Sequence, residues 1–386
     1  MKRSRVCTAS LCAVLGVLLL TAVAPPTTAR AQDPSTNLGG YGLKIFRVES
    51  GLYPFVQVYL RTFDQEKNPL VNLNELNIGV MVKGRSYDPA KRQYRVESIR
   101  NRQEAIRSIL ILDASESMRG GPWYASIRAI VRYIDSKRPQ DEIAILVIRD
   151  TKEGYELVSN FERDAGALGR RLADLSCNGK RTRLYDTIGA AMQLSGMVSQ
   201  GTNTGIGDTQ YVASTSIVVF SDGKDEGSAL SREELNARIT ALPIPIPIYS
   251  VAYSTIGREY FKNLESISKN SFGVYYDLDT AVDRMQRTVE NIQNILQNDY
   301  VVTLRSYVPV DGEEHAVKIG VEYPSRSGRV TYESARFEAL EPPPIEAITS
   351  RQKMLAGLIP ETPDRSPYID TRAVPAAAAA GEQSGS

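Results

Sequence analysis

Histidine and cysteine are nearly absent from this sequence, whose 386 residues include one histidine and three cysteines. A hydrolase of the Ser-His-Asp or Cys-His type would have to use His315, and a zinc site built from several imidazoles cannot form. Cys7 and Cys12 lie in the first 31 residues, so Cys177 alone remains if that segment is removed. No internal disulfide is then possible, and Cys177 is expected to be a packed thiol rather than a nucleophile.

The sequence also has almost no net charge, because its 46 Lys and Arg residues nearly balance its 45 Asp and Glu residues. No long basic run breaks this balance, so the chain has no field that would attract nucleic acid or an anionic membrane. We therefore expect no nucleic-acid partner. Hydrophobic residues at 42% and charged residues at 24% are typical of an ordinary folded globular protein.

Residues 1–31 have the pattern of a secretory signal peptide. Three basic residues precede an apolar stretch at residues 6–24, and an Ala-Arg-Ala tripeptide ends the segment. A retained membrane anchor is the alternative, because the apolar stretch just reaches spanning length. We expect cleavage before Gln32, export to the periplasm, the cell surface or the medium, and no membrane-spanning segment afterwards.

The hydrophobic pattern divides the rest of the chain into four segments. Residues 32–104 and 299–340 alternate with a period of two, which predicts β-strands. In residues 105–298, about six apolar strands alternate with about six helices, which predicts an α/β domain with a doubly wound, mostly parallel sheet. We expect the two β-rich segments to pair into one antiparallel, sandwich-like domain flanking the α/β domain. Residues 341–386 are rich in proline and alanine and are expected to form a flexible tail.

Oxygen-bearing side chains occur where the predicted α/β strands end. Asp113, Ser115 and Ser117 follow the first strand, Thr182 precedes a helix, and Asp222 follows a later strand. The carboxyl ends of the strands form the ligand crevice of such a sheet, so these side chains are placed for binding. Carboxylate and hydroxyl oxygens suit Mg²⁺ or Mn²⁺ rather than zinc or copper.

The D-x-S-x-S run at Asp113, the Thr ahead of Leu-Tyr-Asp and the Ser-Asp-Gly at Asp222 resemble the von Willebrand factor A domain and its metal-ion-dependent adhesion site. The resemblance covers about residues 107–297. It implies that Ser115, Ser117 and Thr182 ligate the metal directly, and that the two aspartates act directly or through water. Such a ligand set leaves a divalent cation under-neutralised, so the cation retains affinity for an acidic side chain of a protein partner.

Three further residues lie around this predicted site. Asp225 is close enough to Asp222 to support the ligands from outside, although a solvated loop acid is the simpler interpretation. Arg181 and Arg183 flank Thr182, and two cations there would weaken metal binding unless they point outward or help to hold an acidic partner. A scaffold that keeps the motif but binds no metal is the remaining alternative.

These features predict an exported, divalent-cation-dependent protein-binding module that acts in adhesion or envelope assembly. No catalytic set supports an enzyme. One alternative is a structural envelope protein whose β domain binds partners while the metal site only stabilises the fold. A Mg²⁺-dependent phosphatase of the haloacid dehalogenase type is more remote, because Ser115 stands where that chemistry needs a second acid. No motif identifies the partner or the oligomeric state.

Overall fold

The computed structural model describes residues 41–201, 212–242, 244–254, 257–324, 328–341 and 353–359, with the backbone alone at residues 197–201. The predicted signal peptide and most of the predicted tail lie outside these residues. Of the helices described, none has the length and apolar character needed to cross a bilayer.

The described elements follow one another in three groups along the chain. The first group is β1 (Tyr41–Leu52), β2 (Phe55–Asp64), β3 (Ile78–Val82), β4 (Arg85–Ser86) and β5 (Tyr94–Ser98). The second is β6 (Ala105–Asp113), α1 (Gly121–Asp135), β7 (Glu142–Ile148), β8 (Tyr155–Glu162), α2 (Ala165–Ala173), α3 (Leu184–Gly201), β9 (Val212–Ser221), α4 (Arg232–Thr240), β10 (Ile248–Tyr253), α5 (Phe261–Asn270), β11 (Tyr275–Asp279) and α6 (Arg284–Gln297). The third is β12 (Tyr300–Arg305), β13 (Glu314–Glu322) and β14 (Val330–Glu338).

The second group forms a six-stranded sheet in the order β11-β10-β9-β6-β7-β8. Every neighbouring pair is parallel except β7 and β8, which are antiparallel. Strand β6 is central and buried along its whole length, as its continuous apolar run predicts. Successive residues of a strand point to opposite faces, so Leu110 and Leu112 pack with α1, α2 and α6, while Ile109 and Ile111 pack with α3, α4 and α5. The predicted α/β fold class is confirmed.

The first and third groups together form two antiparallel sheets, β1-β2-β12-β5 and β14-β13-β3-β4. Strand β12 lies between β2 and β5, and β13 pairs with β3, so strands from both sides of the α/β segment share each sheet. Alternate residues of these strands, such as Val58, Val80, Val302 and Ile319, meet in one apolar core. The flanking domain is therefore a β-sandwich whose chain is interrupted by the α/β domain.

The sandwich packs on the α/β domain through the outer faces of β2 and β12. Tyr59 and Val301 join the apolar core of the α/β domain. Beside them, the buried Arg61 guanidinium donates to both carboxylate oxygens of Asp299, at 2.8 and 2.6 Å. It also lies 5.7 Å from the ring centroid of Tyr249 in β10. This buried ion pair belongs to the contact between the two domains.

The structure differs from the predicted flexible tail at residues 353–359. Residues 353–358 are helical, and the buried side chains of Leu355 and Ile359 pack on Phe55. Apolar residues four positions apart lie on one face of a helical turn, which allows this short segment to cover the side of the sandwich.

Candidate metal centre

The centre of the candidate site is Asp113, the last residue of the central strand β6. Its side chain is 1% exposed. One carboxylate oxygen accepts a hydrogen bond from the backbone N–H of Ser115 at 2.9 Å. The other accepts from the hydroxyl of Ser221, the last residue of β9, at 2.7 Å. Because β6 and β9 are parallel neighbours, this bond joins the carboxyl ends of two central strands and fixes the orientation of the carboxylate.

Two serine hydroxyls lie beside this aspartate on the turn that follows β6. Ser115 Oγ and Ser117 Oγ are 3.1 Å apart, with Ser115 buried and Ser117 half-buried. The D-x-S-x-S spacing brings them together because the chain makes a short 3₁₀ turn at Glu116–Met118. The turn therefore places two hydroxyl oxygens side by side at the edge of the sheet.

The segment that carries Thr182 is held against the same turn. The backbone N–H of Gly179 donates to the carbonyl of Ala114 at 2.9 Å, and the Cys177 thiol donates to the carbonyl of Ser115 at 3.1 Å. Burial is the main reason that the pKa of Cys177 rises to about 11, in keeping with a packed thiol. Thr182 itself is 1% exposed.

Asp222 follows Ser221 and is 3% exposed, with one carboxylate oxygen accepting from the backbone N–H of Lys224 at 3.0 Å. Burial, and next the charge of Asp222, raise the pKa of Asp113 from 3.8 to about 6. Hydrogen bonds from Ser115 and Ser221 act in the opposite direction but do not offset these effects. Two buried carboxylates that repel each other form a place where a cation would be stabilising.

The donor set fits a hard divalent cation. Nowhere in the described part of the chain do three His, Cys, Asp or Glu side chains come together to hold a metal. A cation here would therefore rely on hydroxyl oxygens and water in addition to the two carboxylates. Mg²⁺ and Mn²⁺ accept such oxygen ligands, whereas zinc sites are built from thiolates, imidazoles and carboxylates.

Asp186, which was not among the predicted site residues, ties the loops of the site together. Its carboxylate accepts from the backbone N–H groups of Ala229 and Leu230 at 2.8 and 3.0 Å, and from Nε of Arg183 at 2.8 Å. Burial raises its pKa, but these hydrogen bonds outweigh burial and leave the pKa below its ordinary value. Its sequence signals are its place in the first turn of a helix and in the Leu-Tyr-Asp that follows Thr182, and neither indicates which groups it would contact.

The three predicted surrounding residues have different environments. Asp225 accepts from the hydroxyl of Ser228 at 2.6 Å and from the backbone N–H of Tyr185 at 3.3 Å, so it braces the loop instead of lying free in solvent. Arg183 is engaged with Asp186, whereas Arg181 is exposed. A role for any of them around a bound cation stays a prediction.

Comparison with known proteins bears on the α/β domain. Residues 108–224 match the family model described as von Willebrand factor type A domain. The fold, the loop motif and this match support a protein that carries a von Willebrand factor type A domain. No curated protein matches the chain.

Several solved structures are similar to parts of this chain. The conserved hypothetical protein BatB from Bacteroides thetaiotaomicron is 15% identical over 50% of this chain and 98% of its own, with a TM-score of 0.36. A von Willebrand factor type A protein from Catenulispora acidiphila is 11% identical over 78% of this chain and 73% of its own, with a TM-score of 0.42. The SpRpn10 VWA domain is 14% identical over 50% of this chain and 97% of its own, with a TM-score of 0.37. At these values the likenesses add nothing to the assignment of function.

Proposed function

We propose that this protein is a divalent-cation-dependent protein-binding module. Ser115, Ser117 and Thr182 would hold Mg²⁺ or Mn²⁺, with Asp113 and Asp222 acting directly or through water. The observation that carries the proposal is the burial of two carboxylates, Asp113 and Asp222, at the same edge of the sheet as two adjacent serine hydroxyls. Burial, and next the charge of Asp222, raise the pKa of Asp113 to about 6. Domains of this type are often involved in protein interaction or adhesion.

The electrostatics of the site favour a partner that brings a negative charge. A bound cation would supply a positive centre that attracts a carboxylate. Asp113 already accepts hydrogen bonds from Ser115 and Ser221, so part of its negative charge is directed away from the site. Three neutral hydroxyls add no charge, and an Asp or Glu of the partner would complete the coordination.

Export and the cellular role belong to the same proposal. The leader pattern in residues 1–31 supports export to the periplasm, the cell surface or the medium, where the module would serve adhesion or envelope assembly. The phosphatase alternative gains no support, because Ser115 stands at the position of the required acid and its hydroxyl lies against Ser117.

The proposal is tested by titrating the exported chain with Mg²⁺ and Mn²⁺ in a calorimeter. The chain used for this titration begins at Gln32, after the predicted leader. We expect saturable binding that is lost in Thr182→Ala and kept in Thr240→Ala, a matched control at the end of α4. Binding that survives Thr182→Ala would contradict the ligand assignment, and an intact chain that binds neither ion would favour the alternative of a scaffold that keeps the motif but binds no metal.

A further inference from the structure

A basic pocket opens next to the candidate metal centre. Its volume is about 390 Å³. Four basic and two acidic side chains contribute to its lining, namely Arg149, Lys180, Arg181, Arg183, Asp150 and Glu226. The pocket is therefore polar and carries more positive than negative groups.

Both acidic side chains of the pocket already have partners. Asp150 accepts hydrogen bonds from the backbone N–H groups of Lys180 and Arg181, at 2.7 and 3.0 Å. Glu226 forms an ion pair with Lys224 at 2.6 Å. Lys224 balances the charge of Glu226, whereas Asp150 keeps its charge and directs its oxygens to the loop backbone. The basic side chains of the pocket therefore still outnumber its uncompensated acid.

Only two of the four basic side chains of the pocket form ion pairs with described residues. Arg183 is paired with Asp186, and Arg149 with Glu156 at 2.6 Å, although Nε of Arg149 is buried without a hydrogen-bond partner. Lys180 and Arg181 are exposed, and no described residue forms an ion pair with either. Two cations thus remain available to an anionic ligand that enters the pocket.

The pocket and the candidate metal ligands share one loop. Arg181 directly precedes Thr182, and the backbone N–H of Glu226 donates to the carbonyl of Thr182 at 2.7 Å. In an extended peptide, side chains two residues apart lie on the same face, about 7 Å from each other. If one side chain of an extended ligand segment binds at the metal centre, the side chain two residues away lies on the same face of the segment. That second side chain is the one that would enter this pocket.

We propose that the pocket binds a second carboxylate of the protein partner, a few residues from the one that reaches the cation. This inference rests on the proposed function and narrows the ligand to a segment with two closely spaced acidic residues. Arg181 would pair with the second carboxylate through its planar guanidinium and Lys180 as a point charge. The pocket would add specificity that the metal centre alone cannot supply.

Two synthetic peptides test the proposal against the exported chain in the presence of Mg²⁺. One is a capped glycine peptide with a single aspartate, and the other has a second aspartate two residues further on. We expect the peptide with two aspartates to bind about tenfold more tightly, as one charge-assisted contact allows. The gain should fall below twofold in the Lys180→Gln/Arg181→Gln variant and shrink in 0.5 M salt, because exposed charges are screened.

The matched control is Lys67→Gln/Arg238→Gln, which removes one exposed lysine and one exposed arginine elsewhere. It should keep the tenfold gain. Equal affinity of the wild-type chain for both peptides, or an undiminished gain in Lys180→Gln/Arg181→Gln, would overturn the inference. If chelation of Mg²⁺ leaves single-aspartate binding unchanged while the gain still depends on Lys180 and Arg181, the pocket stands and the proposed metal bridge fails.

Discussion

Replacing Asp113 with asparagine should stabilise the metal-free protein while abolishing its response to cations. The Asp113 pKa of about 6, against 3.8 for an ordinary aspartate, means that the folded state disfavours its ionised form. Each pKa unit corresponds to 1.36 kcal/mol, so keeping this carboxylate ionised at neutral pH costs about 3 kcal/mol. Asparagine removes the charge and retains an oxygen that can accept from the backbone N–H of Ser115.

The variant recovers only part of these roughly 3 kcal/mol, because it changes the hydrogen bond at the other carboxylate oxygen. The hydroxyl of Ser221 donates to Asp113, and in the variant it would have to accept from the new amide. We therefore expect a net increase of about 1–2 kcal/mol in the free energy of unfolding, or a Tm higher by about 2–3 °C at pH 7.5. The sign follows from linkage, because a carboxyl with a raised pKa makes the metal-free fold more stable as the pH falls from 6 toward 4.

Differential scanning calorimetry in chelator, and then in millimolar Mg²⁺, measures both effects. The wild-type Tm should rise with Mg²⁺, since a ligand that binds only the folded state stabilises it, whereas Asp113→Asn should not respond. Asp135→Asn, at an exposed position on α1, is the matched control and should behave like wild type. A chelated Asp113→Asn protein that melts at or below the chelated wild type would refute the reasoning.

Three further predictions follow from the same structure. Mg²⁺ affinity should fall by up to about tenfold per pH unit below pH 6, because a proton on Asp113 competes with the cation, and calorimetric titration at pH 7.5 and 5.0 measures this. Gly154→Ala should destabilise the fold by about 1–3 kcal/mol in urea unfolding, because φ is +85° and an added Cβ would lie 2.4 Å from Cδ of Arg183. Arg61→Ala should cost about 3–5 kcal/mol in the same assay, because it leaves the carboxylate of Asp299 buried without its partner.

Each of these has a result that would contradict it. A Mg²⁺ affinity that stays constant between pH 7.5 and 5.0 would show that Asp113 does not titrate against the cation. Gly169→Ala, in open space on α2, should be neutral or stabilising, so an equal loss at both glycines would disprove the steric argument. In a variant whose Asp299 is already neutral, Arg61→Ala should no longer destabilise the fold by this amount. If the losses in unfolding free energy of the two single variants simply add in the double variant, the ion pair is contradicted.

Much of the candidate site could be predicted because its parts are local in sequence. Asp113, Ser115 and Ser117 share one turn, and a buried apolar strand directly before them indicates where that turn lies in an α/β sheet. Thr182 and Asp222 could be added from the motif order. Asp186 belongs to the Leu-Tyr-Asp motif, but its role escaped prediction because its partners in the loop after β9 are adjacent only in the folded chain.

The sequence by itself determined the local structure and the chemistry of the protein. The period of its apolar residues indicated which segments are strands and which are helices, and its oxygen donors and single histidine indicated the kind of ligand the site can take. The sequence also led us to expect that the two β-rich segments pair. The tertiary structure alone decided which strands are neighbours and in what register, the Arg61–Asp299 contact between residues 238 positions apart, and the basic pocket. A period of two states only which face of a strand is apolar, whereas partners, register and charge pairing depend on how distant segments pack against each other.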